Sequence, residues 1–188
     1  DFITMESNLA NAGEVASLIP EIVSIHGRFQ LLVNNASVFD SGYIKDTGID
    51  LYTDQLEINL RAPFFLIRDF ANHCCQGNII NMVDTRITTN RSNYSAYSLS
   101  KKALWELTKM AALEFGPDIR VNAVAPGLNL APEDKDDDFL YKLAKKIPMK
   151  KPGGLKPILQ AFDYILNNDY LTGELLFTDG GENLGQNA

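Results

Sequence analysis

Asp84, Tyr97 and Lys101 fall within a span of eighteen residues, and together they could deliver a proton. Tyr97 and Lys101 open a helical pattern that runs to Glu114, so their i, i+4 spacing sets phenol and ammonium one turn apart on a single face. Asp84 closes the run Asn78-Ile79-Ile80-Asn81-Met82-Val83, which reads as a buried strand of a parallel sheet. A phenol ordinarily titrates near ~10, and a neighbouring ammonium favours the phenolate. Lys101 is therefore expected to draw Tyr97 toward the working pH of a general acid. Tyr-x-x-x-Lys arises by chance in many helices, so its weight depends on the elements around it.

Those elements alternate. Asp1–Met5 reads as a short strand, and residues 14–25 carry Val15, Leu18, Ile19, Ile22, Val23 and Ile25 at helical spacing, kinked or restarted at Pro20. Gln30–Asn35 is a buried strand, followed by a loop over 37–47. Leu51–Ala71 is a long helix with Asn59 at its middle and Pro63 as a kink. After the Asp84 strand and the Tyr97 helix come a strand over Ile119–Ala125 stopped by Pro126-Gly127, helices over Phe139–Ile147 and Pro157–Leu166, and a strand Leu175–Thr178 before Asp179-Gly180-Gly181. Strands of four to seven apolar residues between helices of ten to twenty predict a doubly wound parallel α/β sheet in one domain, residues 1–188. Ligands of such sheets bind at the carboxyl ends of the strands. Asn34-Asn35, Asp84 and Pro126-Gly127 should then line one crevice, with Tyr97 and Lys101 facing it.

A chain of 188 residues, 45% hydrophobic, can bury a substantial core. Its net charge of -7 and pI near 4.8 argue against nucleic acid or an anionic membrane as the main partner. No apolar run has the length of a membrane span, and no signal peptide is evident. Cys74 and Cys75 are adjacent and lack a surrounding ligand cluster, so neither a disulfide nor a metal site is expected, and a reducing cytoplasm fits. The chain opens at Asp1 without a methionine, already in what reads as the end of a strand. An N-terminal piece is expected to be missing from the sequence.

The combination resembles the short-chain dehydrogenase/reductase family. The residues that carry the resemblance are Leu32-Val33-Asn34-Asn35-Ala36, Ile58-Asn59, Tyr97-Ser98-Leu99-Ser100-Lys101, Arg120-Val121-Asn122-Ala123-Val124-Ala125-Pro126-Gly127, and Thr172-Gly173 through Asp179-Gly180-Gly181. The resemblance implies a Rossmann-type, three-layer α/β/α sheet that binds NAD(P)H, with Tyr97 as general acid. Lys101 would bond the nicotinamide ribose, and Asn59 would hold a water of the proton relay. It places Asn8-Leu9 near the adenine, and Asn35, Ala36, Ser37, Pro126 and Gly127 along the cofactor. It also implies a homo-oligomer, dimer or tetramer, in which the Leu51–Ala71 and Tyr97–Glu114 helices pair across a subunit interface. Glu133–Asp138 falls where the family's substrate-covering loop lies, and reads equally as a solvated acidic loop.

Two departures stand out. Upstream of Asn34 there is no Thr-Gly-x-x-x-Gly-x-Gly turn, the usual seat of the pyrophosphate. Where most members carry serine this chain has Asp84, which resembles the pteridine reductases and the related dihydromonapterin reductases. Residues 35–39 resemble the segment whose phenylalanine stacks on a pterin, which makes Phe39 that ring. Asp84 and Tyr97 would then bond the pterin's nitrogens and amino group, with Ser37 near the cofactor phosphates and NADPH preferred over NADH. Plainer readings stay open: Phe39 as a loop aromatic packed on the sheet, and Asp84 as a cap for the loop after its strand. The substrate could instead be a ketone or 3-oxoacyl carbonyl, or the chain could be an inactive nucleotide-binding sensor or assembly partner.

Overall fold

The short apolar runs that alternate with helices become the strands of one parallel sheet. They are β1 (Leu31–Asn34), β2 (Gly77–Met82), β3 (Ile119–Pro126) and β4 (Leu175–Thr178), side by side in that order. The computed structural model describes residues 2–131 and 136–185. Between the strands lie α1 (Ala12–His26), α2 (Ile49–Leu56), α3 (Ala62–His73), α4 (Ser95–Phe115), α5 (Asp137–Ala144) and α6 (Lys156–Asn167). No described helix is long and apolar enough to cross a membrane.

Side chains alternate across the strands, and in the central strands β2 and β3 both faces are largely buried, which is why those runs read as continuously apolar. Leu32, Ile79 and Val121 pack with α1, α3 and the end of α4, while Ala123 and Ala125 pack on Leu104 of α4. Val33, Ile80, Met82, Val124 and Leu176 point the other way, onto Ala161 and Ile165 of α6. Helices on both faces of a parallel sheet give the three-layer α/β/α arrangement expected of a Rossmann-type fold. The sheet core also carries a polar seam. Asn34 Nδ2 donates to Asn81 Oδ1 at 2.8 Å, and Asn81 Nδ2 donates to Thr108 Oγ1 at 2.9 Å, so each buried amide is satisfied.

Two expectations need correction, and of the two readings at Pro20 the single helix holds. Phe2–Met5 forms no strand: Phe2 and Ile3 are exposed, and no described strand runs beside them to supply hydrogen bonds. Helix α1 runs unbroken through Pro20, from its cap at Asn11, whose Oδ1 accepts from the Gly13 and Glu14 amides, to Gly27 at φ 80°. The helix expected over 51–71 is not a rod kinked at Pro63. It is interrupted one turn earlier by a π-helical segment, Glu57–Arg61, and Pro63 sits in the first turn of α3. Of the acidic loop, Glu133–Lys135 lies outside the described residues; Asp136 caps α5 by accepting from the Phe139 amide at 2.9 Å.

Glycine is required at one point of chain crossing beneath the site. A Cβ on Gly77, which opens β2 at φ +137°, would strike the Gln30 carbonyl oxygen that leads into β1.

Candidate active site

Because all four strands are parallel, Asn34, Asp84, Pro126 and Thr178 emerge along the same edge of the sheet. Gly127 lets the ends of β3 and β4 close up, since a Cβ there would lie 2.7 Å from the Asp179 Cα. Helix α4 begins at Ser95 and delivers Tyr97 and Lys101 to this edge, both buried, at 5% and 2% exposure.

Asp84 divides its two oxygens. Oδ1 accepts the Arg86 amide at 2.7 Å and so caps the short turn Thr85–Thr88. Oδ2 accepts the Tyr97 hydroxyl at 2.8 Å. The capping reading and the chemical reading therefore hold together in one side chain.

Lys101 does not touch the phenol oxygen. Its Nζ donates to the Met82 carbonyl at 2.8 Å and lies 5.8 Å from the Tyr97 ring centroid. The expected lowering of the Tyr97 pKa is overturned. Burial, and after it the charge and hydrogen bond of Asp84, push the phenol up, outweighing the opposite pull of Arg86. Tyr97 is thus held as a neutral phenol with its proton aimed at a carboxylate. Burial in turn brings the Lys101 ammonium down to about 8, against the charge of Asp84.

Asn59 is fully buried in the π-helical segment, and its side chain is spoken for. Oδ1 accepts from Ser37 Oγ at 3.0 Å and from the Val38 amide at 2.9 Å. Nδ2 donates to the Val38 carbonyl, Gln55 Oε1 and Ser100 Oγ at 3.0–3.2 Å. It therefore ties the loop after β1 to α4, one turn from Tyr97, and its amide has no capacity left for a water. Ser37 turns its hydroxyl inward to Asn59.

The loop so fixed presents Phe39. The ring is 50% exposed, so it is not a core aromatic. It stacks on Tyr94 at 4.3 Å and 4° and meets Tyr97 edge-on at 4.6 Å and 76°. Arg86 caps the stacked pair, with Cζ 4.5 Å from the Tyr94 centroid and 5.4 Å from that of Phe39. Tyr94, Arg86 and Ser100 went unforeseen. Tyr94 and Ser100 flank Tyr97 at i−3 and i+3, a spacing that could have flagged both, whereas nothing in the pattern singled out Arg86.

Of the residues expected along a cofactor, Leu9, Asn35 and Ala36 line one cavity of about 230 Å³ with Leu32, Val33 and Asn34 at the end of β1. Asn8 lies just outside it, its Oδ1 accepting from the Ala10 amide at 3.0 Å. Pro126 and Gly127 stand two strands away along the same edge.

The family model described as enoyl-(acyl carrier protein) reductase matches residues 1–183, nearly the whole chain. The chain belongs to the short-chain dehydrogenase/reductase family. Among curated relatives, dihydromonapterin reductase of Enterobacter sp. (strain 638) is 29% identical over 81% of this chain and 66% of its own length. The enzyme of the same name from Shigella boydii is 27% identical over 98% of this chain and 76% of its own. The chain thus spans about two thirds to three quarters of the length of these relatives. Among solved structures, FolM alternative dihydrofolate reductase 1 from Brucella canis, complexed with NADP, superposes with a TM-score of 0.91. It is 28% identical and covers 99% of this chain and 75% of its own. A blue fluorescent protein from a metagenomic library, in complex with NADPH, superposes at 0.83 with 27% identity, over 93% of this chain and 73% of its own.

Proposed function

We infer that this chain is an NADPH-dependent reductase of a pterin-type substrate. The observation that carries the reading is the Asp84–Tyr97 pair with Phe39 above it. At the substrate edge Asp84 presents only acceptor lone pairs, beside the Tyr97 hydroxyl that donates to one of them. A ketone oxygen placed against Asp84 would meet a carboxylate rather than a donor. The amino-pyrimidine edge of a pterin brings N–H donors, which the free lone pairs of Asp84 can accept, and a flat ring that Phe39 can cover. The name of the dihydromonapterin reductases, and the name and bound NADP of the Brucella protein, support the same assignment.

NADPH, when bound, supplies the hydride. The described residues fit a dinucleotide: Lys101 spends one of its three N–H donors on Met82 and keeps two for ribose hydroxyls. Leu9, Asn35 and Ala36 would line the adenosine side, and Pro126-Gly127 the nicotinamide side. Reduction of a ring C=N leaves a nitrogen that must take a proton, and Tyr97 gives it from a phenol kept neutral by burial and by Asp84. Asp84 holds the substrate edge, and Asn59 acts as a positioning residue through Val38 and Ser100.

Lys101 sets the pH behaviour. Its ammonium is lost as pH rises through about 8. The kcat/KM for NADPH-dependent turnover is expected to fall above that pH, and Lys101→Arg, which cannot discharge, to move the limb beyond the measurable range. The folded pKa lies below the ordinary 10.5, so the unfolded chain binds the extra proton between the two values. The burial penalty of Lys101 is therefore full below about 8 and fades toward 10.5, which a urea-denaturation series over that range would show as rising stability.

The reading is tested by following NADPH oxidation by the full-length protein with dihydropterins, ketones and a 3-oxoacyl thioester. Turnover of dihydropterins is expected. Turnover of carbonyls alone would replace the substrate assignment, and no turnover of anything would favour a nucleotide sensor. We also infer a homo-oligomer formed through α3 and α4, because Phe64, Leu99, Met110 and Leu113 on these helices are exposed, Leu113 at 87%. The free thiols of Cys74 and Cys75 suit a cytoplasmic setting.

A further inference from the structure

We propose that Gln55 is a positioning residue for the substrate. Through Asp40 it holds the Phe39 ring at the edge of Tyr97, and so sets how tightly a flat substrate is bound without touching it. This rests on the reading of Phe39 as the ring that covers the substrate, and goes on to say what fixes that ring.

Gln55 stands in the last turn of α2 and is fully buried, at 0% exposure. An apolar side chain would fill that space at no polar cost, so a buried amide there must be met by partners. Both of its groups are committed. Oε1 accepts from Asn59 Nδ2 at 3.1 Å, one helical turn on, and Nε2 donates to Asp40 Oδ2 at 3.0 Å. The direction of these bonds is forced. The Val38 amide can only donate, so Asn59 turns its oxygen to it and Nδ2 toward Gln55. Gln55 must then give its oxygen to Asn59 and its N–H to residue 40, where only an acceptor satisfies it. Asp40 supplies that acceptor from an exposed position.

The bond falls beside Phe39. Asn59 holds Ser37 and Val38, and Gln55 holds Asp40, so the ring hangs between two fixed points. Further along, the Gly42 amide donates to the Asn93 carbonyl at 3.0 Å, and the Gly42 carbonyl accepts from the Ser95 amide at 3.1 Å, on either side of Tyr94. The loop that carries Phe39 is thereby joined to the residues that carry Tyr94. That joint stacks the two rings at 4.3 Å and sets Phe39 4.6 Å from the Tyr97 ring. Without Gln55 the point after the ring is lost, and a half-exposed phenyl is left to its contacts with Tyr94 and Arg86.

The test uses the full-length protein and Gln55→Met, which keeps length and bulk but cannot make either bond. Asn59 stays satisfied in this variant, since the Val38 carbonyl and Ser100 Oγ still take its two N–H groups, and the loss is confined to Asp40. KM for dihydrobiopterin is expected to rise about 5- to 10-fold with kcat within about twofold, as when one hydrogen bond that supports ground-state binding is removed. The NADPH dissociation constant, from fluorescence titration, should be unchanged. Asp40→Ala should give the same loss, and Asp40→Asn, which keeps an acceptor, should stay near the wild type. In a Phe39→Ala background Gln55→Met should add nothing, because no ring is left to place. Hydrogen exchange over residues 37–42 should quicken in Gln55→Met, a readout that needs no turnover. A Gln55→Met effect that persists beside Phe39→Ala, or a fall in kcat and NADPH affinity along with the rise in KM, would make Gln55 general support for Asn59 and overturn the proposal. Unchanged KM and unchanged exchange would overturn it as well. If the wild type reduces carbonyls and no pterin, the pterin reading falls by itself, and the same cycle run on the carbonyl decides whether Gln55 acts through Phe39.

Discussion

Tyr97→Phe is expected to lower kcat for pterin reduction by about 10²–10⁴-fold, the usual range for removal of a positioned general acid. NADPH affinity should be kept, because Lys101 is anchored on the Met82 carbonyl independently of the phenol. The fold should be kept as well. The ring still meets Phe39 edge-on, and the lost hydrogen bond leaves only Asp84 Oδ2, on a partly exposed side chain, to be rehydrated. That change is worth about 1 kcal/mol of stability. Stopped-flow NADPH oxidation, fluorescence titration of NADPH and thermal unfolding on the same variant separate the three. A variant that keeps wild-type turnover would remove Tyr97 from the mechanism. The structure also sets a direction. A phenol held neutral is ready to give its proton, so reduction should run at neutral pH, whereas the reverse oxidation needs the phenolate and should rise steeply with alkalinity until Lys101 discharges near 8.

How far the site could be read from residues alone varies with the range of the interactions. Strand β4 was read to the residue, and β1, β2 and β3 to within one at each end, because a short apolar run bounded by Gly, Pro or a polar pair is a local signal. Tyr97 and Lys101 were legible for the same reason, as four residues on one helix fix a face. The electrostatics were not. Spacing alone put the ammonium beside the phenol, whereas the fold brings in Asp84 from thirteen residues away and turns Lys101 onto a carbonyl of β2. The sign of the Tyr97 shift is set by that long-range placement and by burial, neither of which has a periodicity. The π-helical segment escaped for a related reason. Asn59 needs Ser37, Val38, Gln55 and Ser100 at once, and five contacts drawn from three separate elements outweigh regular helical bonding in one turn. Pro63, the visible breaker, sits harmlessly just inside α3.

Asp84→Ser should do more than weaken the enzyme; it should change what the enzyme prefers. A serine hydroxyl replaces an acceptor-only carboxylate with a donor, so the amino-pyrimidine edge loses its charge-assisted partner while a ketone oxygen gains a second donor beside Tyr97. Loss of a hydrogen bond to a charged group costs about 1.5–3 kcal/mol, or roughly 10- to 100-fold in kcat/KM for a dihydropterin, and carbonyl turnover should appear or rise. Asp84→Asn separates shape from charge. It keeps an oxygen to cap the Thr85–Thr88 turn but removes the anion, and with it two of the three causes that raise the Tyr97 pKa, leaving burial alone. An ultraviolet titration of the phenolate should therefore show a lower tyrosine pKa in Asp84→Asn than in the wild type, measured against Tyr97→Phe to assign the signal. If Asp84→Asn left both the titration and the pterin kcat/KM unchanged, the carboxylate would be no more than the cap of its loop. The substrate preference would then have to come from Phe39, Tyr94 and Arg86, the aromatic wall and the cation that faces it.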